Sequence, residues 1–174
     1  MDVTSAVAAP GAARWRASAW DYLVILGWLA VLTVLGLGAR LALPAPGPIS
    51  PVAADAVAFG FSVLPVWAYL TVTEAGVRRG SWGKQRTGLA VVAGDGRRAG
   101  AGRVAVRNAV KLLPWQLAHV AVARIIAEVD APVTVATTYG LSLLVPAVSL
   151  AIAWRDPAHR ALHDLVAGTR VVGA

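Results

Sequence analysis

Residues Arg78–Lys111 hold nine of the chain's sixteen lysines and arginines and a single acid, Asp95. On both sides the sequence turns apolar. Ala56–Thr73 gives eighteen uncharged residues before the block, and Ala131–Trp154 gives twenty-four after it. A basic block between long hydrophobic runs is how a membrane protein marks a loop that stays in the cytoplasm. The block is therefore read as the hub of a small integral membrane protein.

Composition agrees. Only 14% of the 174 residues are charged and 57% are hydrophobic, whereas soluble domains carry about 25% charged residues. The net charge of +7 raises the question of nucleic acid. That charge sits in short segments flanking apolar runs, which speaks for orientation in a lipid bilayer and against nucleic-acid binding. With no cysteine, disulfide and thiolate chemistry are excluded.

Residues 1–13 are small and Pro/Gly-punctuated and read as a disordered tail; residues 14–174 read as one membrane domain. About twenty apolar residues cross the hydrocarbon layer, and four segments are candidates: about 18–41, 52–73, 109–128 and 132–154. Pro65 and Pro146 predict kinks in the second and fourth. The stretch Pro44–Pro51 reads as an external turn, and Asp55 beyond it as a water-wetted acid. The third segment is the weakest span, because its longest charge-free run, Leu112–Ala123, has only twelve residues. Gln116, His119 and Arg124 share one face of it, so it spans if that stripe meets protein rather than lipid; a re-entrant or surface helix is the alternative.

The predicted fold class is an all-α polytopic membrane protein of about four transmembrane helices, with a short β-hairpin on its cytoplasmic face. The basic loop (78–108) supplies the hairpin, from the β-branched Arg86–Ala93 and the turn Gly94-Asp95-Gly96. The cytoplasmic tail (155–174) offers a short helix ended by Gly168 and a strand over Thr169–Val172, which could cover the hairpin's exposed edge. In this arrangement Arg40 and Arg124 are the only lysines or arginines outside, and fourteen lie inside. That asymmetry predicts a multi-pass protein of the inner (plasma) membrane with both termini cytoplasmic.

Few residues suggest chemistry. Asp21 lies about one turn inside the first span, where a carboxylate costs up to about 2.5–3.5 kcal/mol on insertion scales. Arg14 is seven residues earlier, about two turns down, which is long for a direct pair. A basic residue of another segment is the expected main partner of Asp21. Asp21 is either an anchor of helix packing or a site that handles protons or ions. His159, His163 and Asp164 cluster, but no further ligand accompanies them, and they read as structural rather than as a metal site. Gly83-Lys84 lacks the rest of a phosphate loop, since Gln85 stands where Ser or Thr is needed. The stripe of Gln116, His119 and Arg124 either ties helices together or lines a polar pathway.

Four motifs in order resemble the RDD family of bacterial membrane proteins, named for one arginine and two aspartates. Arg14-Trp-Arg-Ala-Ser-Ala-Trp-Asp21 resembles the first element. Ser81-Trp-Gly83-Lys84-Gln-Arg86-Thr-Gly88 resembles the loop motif, with Ser81 in place of threonine. Arg107-Asn108 and Arg160-Ala-Leu-His163-Asp164-Leu-Val-Ala-Gly168-Thr169 resemble the later ones. The resemblance makes Arg14, Asp21 and Asp164 the motif candidates, with Lys84, Arg86, Arg107 and Arg160 in support. It implies no cofactor and no enzymatic activity, and for some members of the family cation/proton exchange has been suggested.

Two function classes follow. The favoured one is a structural or assembly protein of the membrane, held by an Arg/Asp network. The alternative is a small secondary transporter exchanging cations or protons through Asp21. A homo-oligomer or a second membrane protein is the partner class left open. The two readings part on whether Asp21 faces water or is sealed by basic partners.

Overall fold

A computed structural model describes residues 9–44, 47 and 49–174. The first eight residues of the expected disordered tail, and residues 45, 46 and 48 of the expected external turn, lie outside the described residues. Helix α1 spans Gly11–Ala42 and α2 spans Pro51–Ala75. A five-residue helix α3 (Trp82–Arg86) and strand β1 (Leu89–Ala93) occupy the basic loop. Helices α4 (Ala101–Ile126) and α5 (Pro132–Arg155) follow, then α6 (Leu162–Ala167) and strand β2 (Thr169–Gly173). Helices α1, α2, α4 and α5 are each long and apolar enough to cross a membrane.

The boundaries correct the sequence reading at two places. Helix α1 starts at Gly11, so Gly11–Ala13 belong to it and not to a tail. Ala9 is fully buried, and its N–H donates to Val171 O of β2 at 3.3 Å. Helix α4 starts at Ala101, close to Gly102 and Arg103 where the sequence's helical pattern resumes, so the last eight residues of the 78–108 loop are helical. The third segment is thereby long enough to span despite its short charge-free core.

Proline is accommodated in two ways. Pro65 cannot donate to Phe61 O, and the helix widens to π geometry over Phe59–Val63 just before it. The Trp28 indole N–H of α1 donates to that freed Phe61 carbonyl at 2.9 Å, as membrane helices with proline require. Helix α5, by contrast, stays helical through Pro146.

The sheet has two antiparallel strands, β1 and β2, with Val91 opposite Val171. The hairpin expected within the basic loop survives only as the bridge Val92–Arg98; the main partner of β1 is the chain's own end. The geometry shows why. Gly94 N–H donates to Gly168 O and Ala174 N–H to Gly88 O on the β2 side, while Val91 and Ala93 donate to Arg79 O (2.6 Å) and Arg97 O (2.9 Å) on the other. Loop and tail together satisfy both edges of β1, and Ala9 caps the outer edge of β2. Gly168 sits at φ 62°, the left-handed turn that ends α6 and starts β2.

Below the sheet, Ala9, Ala17, Leu89, Val91 and Val171 form one apolar cluster. A second cluster, Val63, Val66, Leu70 and Leu112, knits α2 to α4, with Ile25 and Trp28 of α1 packed against it. Charged groups concentrate between these two clusters.

Candidate functional site

Helix α1 brings Arg14 and Asp21, α2 brings Glu74 and α4 brings Arg107 to the same end of the bundle, and the loop and tail bring Lys84 and Asp164. Asp21 of α1 is 3% exposed. It accepts from Ser81 Oγ (2.5 Å), Gly83 N–H (2.8 Å) and Tyr69 Oη (3.3 Å), and Lys84 Nζ stands 3.7 Å away. Lys84 donates to Glu74 Oε1 at 2.8 Å. Arg107 of α4 donates to Glu74 Oε2 at 2.8 Å through Nη1 and to Asp164 Oδ1 at 2.9 Å through Nε. Asp164 ends the row with Arg14 Nη2 at 3.2 Å. The six groups alternate in sign: Asp21, Lys84, Glu74, Arg107, Asp164, Arg14.

Local sequence explains the positions. Lys84 follows Gly83, whose missing side chain lets α3 lie directly on α1; a Cβ there would collide with Ala17 O. Asp164 stands at the third position of α6 and reaches back to Ala161 N–H (3.3 Å) while accepting from Thr169 Oγ1 (3.1 Å). This is the carboxylate half of a capping box. Asn108 donates to Glu74 Oε2 at 3.2 Å, so the pair Arg107-Asn108 holds one carboxylate with two adjacent residues.

Protonation follows from burial and neighbours. Burial alone raises the Asp164 carboxyl, but Arg107 beside it outweighs that and holds it well below the usual carboxylate range. Burial, helped by the Arg107 charge, pushes His163 down to about 3. The imidazole is therefore neutral at physiological pH, 3.4 Å from Arg107 Nη2. It pads the network without adding charge.

The remaining candidates lie outside the row. Arg86 is two positions beyond Lys84 and so points away from it; its guanidinium lies over Trp20 (4.6 Å) and Trp82 (4.7 Å) as a cation–π clamp. Arg160 pairs with its neighbour Asp156 at 2.7 Å, and that bonding holds Asp156 at about 2. His159 contacts Ala153 O at 3.2 Å, away from Asp164. Among the described residues no cluster of three or more His, Cys, Asp or Glu could hold a metal. The stripe on α4 faces α2. Arg124 grips Asp55 with two bonds (3.0 and 2.9 Å), so Asp55 is paired rather than merely wetted. His119 sits between Ser62 Oγ (3.2 Å) and Trp115 O (2.9 Å), and Gln116 Oε1 is buried without a partner among the described residues.

Against this geometry the family comparison falls into place, since a model of the RDD family matches residues 8–168. The chain belongs to the RDD family. Neither the curated proteins nor the solved structures yield a match. The chain is thus an RDD multi-pass membrane protein, and the three motif residues acquire distinct places. Arg14 touches Asp164 directly, joining the first motif to the last across 150 residues of sequence. Asp21 sits at the opposite end of the row, joined to that pair through Lys84, Glu74 and Arg107.

Glu74 belongs to none of the four motifs. A signal was present. It is the only acid between Asp55 and Asp95, and it follows an apolar run at the basic end, where an acid needs compensating charge.

Proposed function

We propose that this RDD protein is a structural or assembly component of the inner membrane, with both termini cytoplasmic and no enzymatic activity. The single observation behind this reading is that Asp21 is sealed. It is 3% exposed, with three hydrogen-bond donors and one ammonium already in place. A carrier carboxylate must exchange its partner with water in each cycle, and these donors come from α2 and from the Ser81–Lys84 stretch. Held together, they fix α1, α2 and α3 relative to one another.

The transport reading draws on a different fact: Asp21 also lines a crevice of about 520 Å³. The substitution Asp21→Asn separates the two. As an anchor, it lowers the unfolding midpoint in detergent by several degrees, and Lys84→Met added to it restores part of the loss, because the row returns to two acids and two bases. As a carrier, Asp21→Asn abolishes cation or proton flux in reconstituted vesicles while Asp21→Glu keeps some. A fully stable Asp21→Asn protein with unchanged flux would sink both roles.

Orientation is tested separately. Ser50, Asp95 and Gly173 are all exposed, and the absence of native cysteine makes single-cysteine labelling clean. A cysteine at Ser50 should react with an impermeant reagent from outside, and those at Asp95 and Gly173 only after permeabilisation. Labelling of the Gly173 position in intact cells would overturn the cytoplasmic assignment.

A further inference from the structure

The three carboxylates of the row are met one for one by Lys84, Arg107 and Arg14. Lys111 is left over. It stands one turn beyond Arg107 on α4, is only partly exposed, and enters none of the ion pairs among the described residues. Its side chain lines the 520 Å³ crevice, whose walls include Ile25 of α1 and Val145 and Leu150 of α5. Past Trp15 and Leu150 lies a second hollow of about 570 Å³, lined in part by Arg14. Arg14 spends Nη2 on Asp164, but its Nη1 is buried with no partner among the described residues. Lys111 thus borders the first hollow and Arg14 the one beside it. A half-buried cation without a counter-ion is costly, and phosphate oxygens are the acceptors that lysine and arginine best satisfy.

We infer that this cleft between α1 and α5 binds one anionic phospholipid. The headgroup phosphate is taken by Lys111, and an acyl chain lies along Ile25, Val145 and Leu150. The walls decide for a lipid over a free anion, because they are mainly apolar and belong to two membrane-spanning helices. Leu150 and Trp15 are more than half exposed, which leaves the cleft open toward the bilayer. The inference stands independently of the structural and transport readings.

The test is native mass spectrometry of the full chain in detergent, titrated with phosphatidylglycerol or phosphatidylcholine. One phosphatidylglycerol per chain should be retained in preference to phosphatidylcholine, and Lys111→Met should weaken that binding about tenfold, the weight of one charge-assisted contact. Lys111→Met should leave the lipid-free unfolding midpoint unchanged or raised, since the lost charge sits near Lys84 and Arg107; a structural lysine would do the opposite. Leu150→Trp, which fills the cleft and touches no charge, should weaken binding as well. Equal retention of both lipids, or no effect of Lys111→Met, overturns the proposal. Displacement of phosphatidylglycerol by millimolar inorganic phosphate overturns it too, in favour of a soluble-anion site.

Discussion

Glu74→Gln should lower the unfolding midpoint in detergent by on the order of 10 °C, the largest loss expected from any single charge in the network. Glu74 is 1% exposed and takes Lys84 on one oxygen and Arg107 with Asn108 on the other. Glutamine keeps the shape but removes the anion, leaving two buried cations that repel each other. Breaking a buried pair from one side costs about 3–5 kcal/mol, and in a chain of this size each kcal/mol moves the midpoint by roughly 2–4 °C. Asp21 and Asp164 lie at positions where hydroxyl and backbone donors share the load, so their neutralisation should cost less. Adding Lys84→Met to Glu74→Gln should restore part of the loss, since it returns the row to two acids and two bases. A midpoint within about 2 °C of the parent for Glu74→Gln would mean that the row does not hold the bundle end together.

How much of this was legible depends on what each residue could signal alone. The spans were legible because lipid demands long uncharged runs, and α5 was placed to within a residue. The third span was harder, since its polar stripe is excused only by partners on another helix: Asp55 for Arg124 and Ser62 for His119. The tail strand is legible in Thr169–Val172, whereas the turn residues Gly94–Gly96 point to a local hairpin. Local turn chemistry cannot show that the loop's far edge is already taken by Arg79 and Arg97 carbonyls. Five of the row's six groups were legible. Asp21, Asp164, Arg14, Lys84 and Arg107 could be grouped by topology, whereas Arg86 could not be excluded without seeing Trp20 and Trp82 around it. Glu74 carries no motif, and its role exists only because α2, α3 and α4 end at the same level.

The second large effect is expected from a change that touches no charge. Gly83→Ala should reduce the yield of folded protein sharply or lower its midpoint by about 10 °C or more. Helix α3 lies on α1 so closely that a Cβ at position 83 would overlap the Ala17 carbonyl and stand 2.9 Å from the Asp21 carboxyl. The first of these is backbone, in a helix already fixed by its own hydrogen bonds, so α3 must retreat. Overpacking of this kind costs about 1–3 kcal/mol by itself. Retreat also pulls Gly83 N–H, Ser81 Oγ and Lys84 Nζ from Asp21 together, adding a share of the roughly 3–5 kcal/mol for an unpaired buried charge. Gly102→Ala supplies the control, because that glycine is also helical but has nothing within 4 Å of a Cβ. It should be neutral or gain about 0.5–1 kcal/mol from helix propensity. If both substitutions leave yield and midpoint unchanged, α3 does not dock on α1 as tightly as the Asp21 contacts require. If only Gly83→Ala is damaging, close backbone approach is what allows a lysine from a surface loop to reach an acid inside the first span.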